Sequence, residues 1–238
     1  MFACTGFASA ATLTSIATME DLVNAGTNNG VTTVDGYDQI VYSFTESTAI
    51  TNITNTALSE AIAGDQWVTI AAWVKLDENA DTYNTIFGWG ESGKGFKFTL
   101  KDADAAFVTK NVQETTAGAN VITKGEWSLI AISFAGDAST SNSVRFIYDT
   151  GSGNHYTRNY SDWNVPGTDK FAIGSQLADS VNEGFNGEIA GLTVFTSTAQ
   201  ATGTDLAAVM SIPTIVPEPA TASLSLLGLA ALMIRRRR

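Results

Sequence analysis

Few residues in this 238-residue chain have the types and spacing that conventional catalysis needs. It has one cysteine, Cys4, and one histidine, His155, which excludes an internal disulfide, a Cys/His zinc cluster and any Ser-His or Cys-His nucleophile without His155. A metal here would be a hard cation on oxygen ligands, and calcium suits the acidic, Asn-rich loops. Two carboxylate clusters stand out. Asp102-Ala103-Asp104 follows Lys101 in what reads as a hairpin turn, and Asp77-Glu78-Asn79-Ala80-Asp81 reads as a loop, either solvated or contributing to calcium. The second lacks the Gly and terminal Glu of a compact calcium loop. The segment Asn154 to Asn164 sets Tyr156, Tyr160 and Trp163 among Arg158, Asn and Asp. Its rings could stack on a flat ligand face while its guanidinium, amides and carboxylate bond hydroxyls. Trp89 stands at a strand end before Gly90-Glu91-Ser92-Gly93-Lys94-Gly95. Trp89, Tyr156, Arg158, Tyr160 and Trp163 are therefore the candidate ligand contacts. The alternative for residues 154–164 is an amphipathic strand with one face buried, and for His155 an ordinary surface residue.

The elements that must position these residues read as β-strands. Hydrophobic residues make up 44% and charged residues 16%, enough apolar material for a core and too little charge for a disordered chain. Strand-like runs follow at short intervals: Gln39–Phe44, Trp67–Leu76, Thr85–Trp89, Phe96–Leu100, Ala106–Thr109, Trp127–Phe134, Val144–Tyr148, Phe171–Gly174 and Gly187–Phe195. In Trp67–Leu76, Val68, Ile70, Ala72, Val74 and Leu76 share one face and Trp67, Thr69, Ala71, Trp73 and Lys75 the other, so both faces are partly covered. Trp67, Trp73 and Trp127 are expected in the core, and helices are expected over Ile16–Asn24 and Gly203–Met210. The chain carries 24 Asp+Glu against 13 Lys+Arg, four of the latter in the terminal Arg235–Arg238. Such an acidic body repels phosphate backbones, which argues against nucleic acid as a partner.

Both ends read as processing or sorting segments. Ala8-Ser9-Ala10 has the small-x-small pattern of a signal-peptidase site, so residues 1–10 resemble the remnant of a signal peptide whose start lies upstream, the alternative being an ordinary loose terminus. At the other end Val216-Pro217-Glu218-Pro219 leads into an apolar run to Ile234 and then Arg235, Arg236, Arg237 and Arg238. As a helix, residues 220–234 would span roughly 22 Å, short of the ~30 Å hydrocarbon core. Residues 216–238 resemble the PEP-CTERM sorting signal, with motif, span and basic tail in order. That resemblance implies an exosortase-type partner, the inner membrane of a Gram-negative bacterium in transit, and processing near Pro217-Glu218-Pro219 before arrival at the cell surface or extracellular matrix.

The order of the central runs resembles the laminin-G-like, concanavalin A-like lectin/glucanase domain. The carrying residues are Tyr42-Ser43-Phe44, Ile50–Ile53, Trp67–Leu76, Ile86–Gly90, Gly125–Ala131, Val144–Asp149, Phe171–Ser175 and Phe185–Phe195. Asp149-Thr150-Gly151 departs by one residue from the family's Asp-Gly turn. The resemblance implies an all-β, two-sheet antiparallel jelly-roll sandwich, to which the sequence adds a short C-terminal hydrophobic helix. The expected organisation is a signal remnant at 1–10, the sandwich at 11–212, a linker at 213–219, the hydrophobic helix at 220–234 and the basic tail at 235–238. Glucanases on this fold set two or three carboxylates along one strand face as Glu-x-Asp-x-Glu or Glu-x-Asp-x-x-Glu, close enough for a retaining mechanism. No such triplet occurs here, and Asp102 and Asp104 lack flanking glutamates. The expectation is thus an exported, non-catalytic sandwich that binds glycan, extracellular polysaccharide or matrix, or is structural, with no cofactor beyond calcium. The alternative is a glycoside-acting enzyme with an unrecognised site.

Overall fold

Alternating apolar residues in the central runs demand two partners, one for each face of the longest strand. The computed structural model supplies both. It describes residues 10–80, 82–91, 94–101, 105–110, 113–117, 122–136, 139, 141, 143–148, 155–159 and 170–216. In chain order its elements are β1 (Thr14–Thr18), α1 (Met19–Ala25), β2 (Thr27–Asn29), β3 (Thr32–Val34), β4 (Val41–Phe44), β5 (Ala49–Ile53), α2 (Thr56–Ala63), β6 (Trp67–Leu76), β7 (Tyr83–Glu91), β8 (Lys94–Lys101), β9 (Ala105–Lys110), β10 (Gln113–Ala117), β11 (Ser128–Ala135), β12 (Ser143–Tyr148), β13 (His155–Asn159), β14 (Phe171–Ile173), β15 (Gly187–Ser197) and α3 (Gly203–Ala207). One antiparallel sheet runs β13-β12-β11-β6-β15-β4-β3, with β1 also paired to β15. The other runs β10-β9-β8-β7-β14-β5-β2. Their facing sides form a two-layer antiparallel sandwich.

The inward residues of β6, Val68, Ile70, Ala72, Val74 and Leu76, are fully buried against Phe87, Trp89, Phe96, Phe98 and Phe171 of the opposing sheet's core layer. The other face of β6 is buried too. There Ala71, Leu129, Ala131, Ile147 and Phe195 form a second cluster, sealed by Ala201, Leu206 and Met210 from α3 and the chain around it. The two-sided pattern of β6 thus has a cause: a C-terminal strap lies across the outside of its sheet. Ile132, Phe146 and Phe195 are buried as expected. Trp67, Trp73 and Trp127 are only half-buried, contrary to expectation, because they occupy that outer face where the strap covers incompletely.

Local sequence explains the other departures. The expected helix over Ile16–Asn24 is split: β1, which carries the β-branched residues Thr14, Ile16 and Thr18, pairs with β15 through Thr14, Ser15, Ala17 and Thr18, with Ile16 at the register shift, before α1 begins. Thr18 caps α1 in a reciprocal capping box with Asp21. The C-terminal helix is shorter than expected and opens on the same device, Thr202 with Asp205. Helix α2 was not expected. Asn55 caps it by accepting from Leu58 N at 2.9 Å, and it buries Leu58 and Ile62.

Beyond α3 the strap is clipped to residues 36–39. Thr214 donates to the Asp38 carboxylate from its backbone N (2.9 Å) and its hydroxyl (2.6 Å), and Asp38 N donates to Thr214 O at 3.0 Å. Val216 N donates to Gly36 O at 2.7 Å, and Gln39 Nε2 to Ser211 O at 3.1 Å. The Thr214 bonds hold the Asp38 carboxyl below its ordinary value. No described helix is long and apolar enough to cross a membrane. Residues 1–9 and 217–238 lie outside the described residues, and with them the expected signal remnant, Pro217-Glu218-Pro219, the hydrophobic helix and Arg235–Arg238.

Candidate functional site

Strand β7 has a problem of alternation, because Ile86 and Phe87 are adjacent and both fully buried. A register shift between Thr85 and Phe87 resolves it, putting Thr85 opposite Thr99 and Phe87 opposite Phe98. The outer side of β7 and β8 therefore carries Tyr83, Thr85, Gly88, Lys97, Thr99 and Lys101. Thr85 and Thr99 are buried, and so is Lys97.

What buries this polar layer is the segment 174–186, folded across the sheet. Ser175 organises the segment: its hydroxyl accepts from Asn182 N (3.0 Å) and Leu177 N (3.2 Å) and donates to Ser180 O (2.8 Å). Gly88 makes the close approach feasible, because a Cβ there would meet Ser175 O at 2.6 Å and Gln176 O at 2.7 Å. Gly184 is pressed against the 45–48 turn in the same way, since a Cβ there would run into Glu46 O. Between these contacts Glu183 adopts a left-handed backbone with φ of 47°, and its carbonyl accepts from Thr85 N at 3.2 Å. A non-glycine residue there is strained, and the surrounding contacts hold it.

That backbone aims Glu183 at Lys97. The two form an ion pair, with the Lys97 side chain 8% exposed and that of Glu183 28%. The Gln176 amide, oriented with its NH2 toward the carboxylate, donates to both Glu183 oxygens at 3.0 and 3.2 Å. The Lys97 ammonium also lies 4.7 Å from the Tyr83 ring centre, and that of Lys101 5.8 Å from it. Tyr83 is half-buried and lines an open cleft of about 440 Å³ with Glu46, Thr82, Glu183 and Gly184. The cleft thus offers an aromatic ring fixed by two cations, flanked by two carboxylates. Such a set can stack on a ring and accept from its hydroxyls.

Of the residues expected to bind ligand, those described fall elsewhere. Trp89 is 1% exposed, its ring stacked on Phe96 at 3.9 Å and flanked by Phe87, Phe134 and Phe171. Its reading as an exposed contact is corrected: β7 and β8 continue pairing to Glu91 and Lys94, so Trp89 lies within the strand on its inward side. Tyr156 and Arg158 belong to β13, the last strand of the larger sheet among the described residues, opposite Phe146 and Val144. Tyr160, Trp163, Asp102, Asp104 and Asp149 lie outside the described residues. In the 77–81 loop, the Lys124 ammonium takes the carbonyls of Glu78 (3.0 Å) and Ala80 (3.1 Å), placing a cationic side chain where calcium was considered. Among the described residues no group of three or more His, Cys, Asp or Glu could hold a metal. Sequence reasoning missed Tyr83, Lys97, Glu183 and Glu46. The signal for Lys97 was present in the alternation of Phe96-Lys97-Phe98-Thr99-Leu100, but Glu183 is 86 residues away in sequence.

Comparison with known proteins agrees with this architecture. Domain 4 of an extracellular arabinanase from Geobacillus stearothermophilus, solved with arabinotriose, is 14% identical with a TM-score of 0.55, the match covering 84% of this chain and 88% of that one. The CBM40 of an IT-sialidase from Ruminococcus gnavus, bound to α2,3-sialyllactose, is 12% identical with a TM-score of 0.56, over 83% and 100%. The receptor-binding domain of botulinum neurotoxin mosaic serotype C/D is 12% identical with a TM-score of 0.56, and the match spans 84% of this chain but only 46% of the toxin chain. No curated protein sequence matches significantly. Residues 45–202 match the laminin G family model described as the concanavalin A-like lectin/glucanases superfamily. With more than half of its length in that match and the two sheets in place, the chain belongs to the concanavalin A-like lectin/glucanase superfamily.

Proposed function

We propose that this protein is a non-catalytic glycan-binding sandwich that uses the cleft around Tyr83. The observation that carries the reading is the buried Lys97 held between Glu183 and the Tyr83 ring, a preorganised polar and aromatic wall on an open cleft. Two of the similar folds were solved with an oligosaccharide, which supports the ligand class. Residues Tyr156 and Arg158 of β13, with Tyr160 and Trp163, are the alternative location for this contact. Calcium is treated as a variable of binding rather than a fixed component.

The test is a glycan array probed with the full chain, with and without calcium, followed by titration of the best oligosaccharide. Tyr83→Ala is expected to weaken binding about tenfold or more, as truncating an aromatic anchor does, with little change in melting temperature. Unchanged binding in Y83A, with loss in Tyr156→Ala or Trp163→Ala, would move the site to the 154–164 segment. A glycoside-acting enzyme is the second reading, because Glu46 and Glu183 line one cleft. Retaining hydrolysis needs carboxyls roughly 5–5.5 Å apart, one of them a proton donor, whereas the Glu183 carboxylate is engaged by Lys97 and Gln176. Turnover of the bound oligosaccharide that Glu46→Gln abolishes would favour it.

We further propose that the sandwich at 11–212 is exported and sorted through residues 213–238 by exosortase-type machinery, passing the inner membrane on its way to the cell surface. The Pro-Glu-Pro motif, the apolar run and Arg235–Arg238 support this. Mass spectrometry of the mature protein should find a C-terminus or modification near residue 217. Intact Arg235–Arg238 on surface-associated protein would refute processing.

A further inference from the structure

The strap covers the larger sheet's outer face incompletely, and a row of half-buried and exposed polar side chains stays in reach of solvent there. Lys75 of β6 lies opposite Glu188 of β15, Glu188 opposite Ser43 of β4, and Ser43 opposite Thr32 of β3. On the other side, Trp127 precedes Ser128, which is opposite Val74, so Trp127 falls beside Lys75. The result is a single row, Trp127-Lys75-Glu188-Ser43-Thr32, at one level across five neighbouring strands. With strands ~4.8 Å apart the row is roughly 19 Å long. Every member is half-buried or exposed, while Val74, Leu76, Tyr42, Phe44 and Ile189 beside them face inward and are buried.

The row is also fixed in place. Lys75 and Glu188 form an ion pair at 3.4 Å, with side chains 31% and 23% exposed. The Tyr37 hydroxyl donates to the second Glu188 oxygen at 3.3 Å, and its ring meets Trp127 edge-to-face at 5.9 Å. Tyr37 is itself held by its bridge to Ile215 in the strap. On the same face, two residues along β6, the Trp73 indole N–H is buried with no acceptor among the described residues, a donor that water or a hydroxyl would satisfy.

We propose that this row is a second carbohydrate-contact surface, taking a segment of an uncharged polysaccharide laid across the strands. Trp127 supplies the stacking face, Glu188 accepts and Lys75 donates to hydroxyls, and Ser43 and Thr32 extend the hydrogen-bonding line. The ion pair leaves the row without net charge, and the net charge of −11 on the whole chain disfavours polyanions. The inference rests on the glycan-binding reading of the Tyr83 cleft and goes beyond it. With one contact on the outer side of each sheet, the domain is bivalent and cross-links polysaccharide chains.

The test uses the full chain in native gels containing soluble arabinan, dextran or hydroxyethylcellulose, with light scattering of the same mixtures. The unaltered protein should be retarded by at least one of these and should raise its scattering. Trp127→Ala, and the near-isosteric Glu188→Gln that keeps the packing, should remove the cross-linking while retardation persists, weakened several-fold. Tyr83→Ala should do the same from the other sheet, and W127A combined with Y83A should abolish retardation. Cross-linking by both W127A and E188Q at the unaltered level, or loss of all retardation in Y83A alone, overturns the second surface and leaves the cleft reading standing. Absence of retardation of the unaltered protein by all three polymers overturns both.

Discussion

Trp89→Ala is expected to lower the unfolding free energy by about 3–5 kcal/mol, the usual cost of deleting a buried large aromatic side chain. The loss should be near the upper end because the ring has no solvent side. It is stacked on Phe96 with a 17° tilt and touches three further aromatic residues that bridge both sheets. Collapse around such a cavity is resisted on every side. Urea unfolding followed by tryptophan fluorescence checks the size of the effect, and Trp89→Phe, which keeps a ring in place, should recover much of it. Ligand binding in W89A should be lost only in proportion to the unfolded fraction. A variant of unchanged stability that no longer binds glycan would return Trp89 to the ligand site and refute its assignment to the core.

The second large effect is expected from Gly88→Ala, a change of one methyl group. Its Cβ would stand 2.6 Å from Ser175 O and 2.7 Å from Gln176 O, both backbone atoms that no rotamer change can move aside. The 174–186 segment must lift from the sheet or β7 must bend, and forced overpacking of this kind costs about 1–3 kcal/mol or more. Function should suffer beyond stability. Glu183 rides on that segment, so Lys97 would lose the Glu183 carboxylate while remaining buried, and breaking a buried pair is more damaging than never having built one. Denaturant midpoints and oligosaccharide titration together check this. Binding should fall even at temperatures where the variant is folded, and a G88A protein with native stability and affinity would show that the segment does not rest on the sheet as described.

How far the sequence could be read depended on the distance over which each residue's role is decided. Strand β6 was legible to the residue, because its two-residue period reflects two faces buried by different partners. The same held for β8, β11, β12 and β15, whose boundaries shift by one or two residues at most. Short polar strands were not legible. Thr27–Asn29, Thr32–Val34 and Gln113–Ala117 have little apolar alternation, and they are strands because a neighbour offers its free edge. Helix α2 was hidden behind the Thr- and Asn-rich run at 50–56, in which Asn55 serves as a cap rather than as part of a strand.

The candidate site divides in the same way. Sequence alone determined an acidic all-β domain, the exclusion of an internal disulfide and of a Cys/His zinc cluster, and the facing of Lys97 away from its apolar strand neighbours. Those follow from composition and from a period that any strand must obey. Sequence could not place Trp89, because a glycine-rich stretch after a tryptophan looks like a strand end until the partner strand is seen to continue beside it. Nor could it find Glu183, Tyr83 and Lys97 as one unit. Residues 83, 97 and 183 meet because a bulge turns one strand, Gly88 admits a crossing backbone, and Ser175 folds the segment that carries the glutamate. Each of those is a contact between chain segments far apart in sequence, so only the tertiary structure decided where the polar side chains converge.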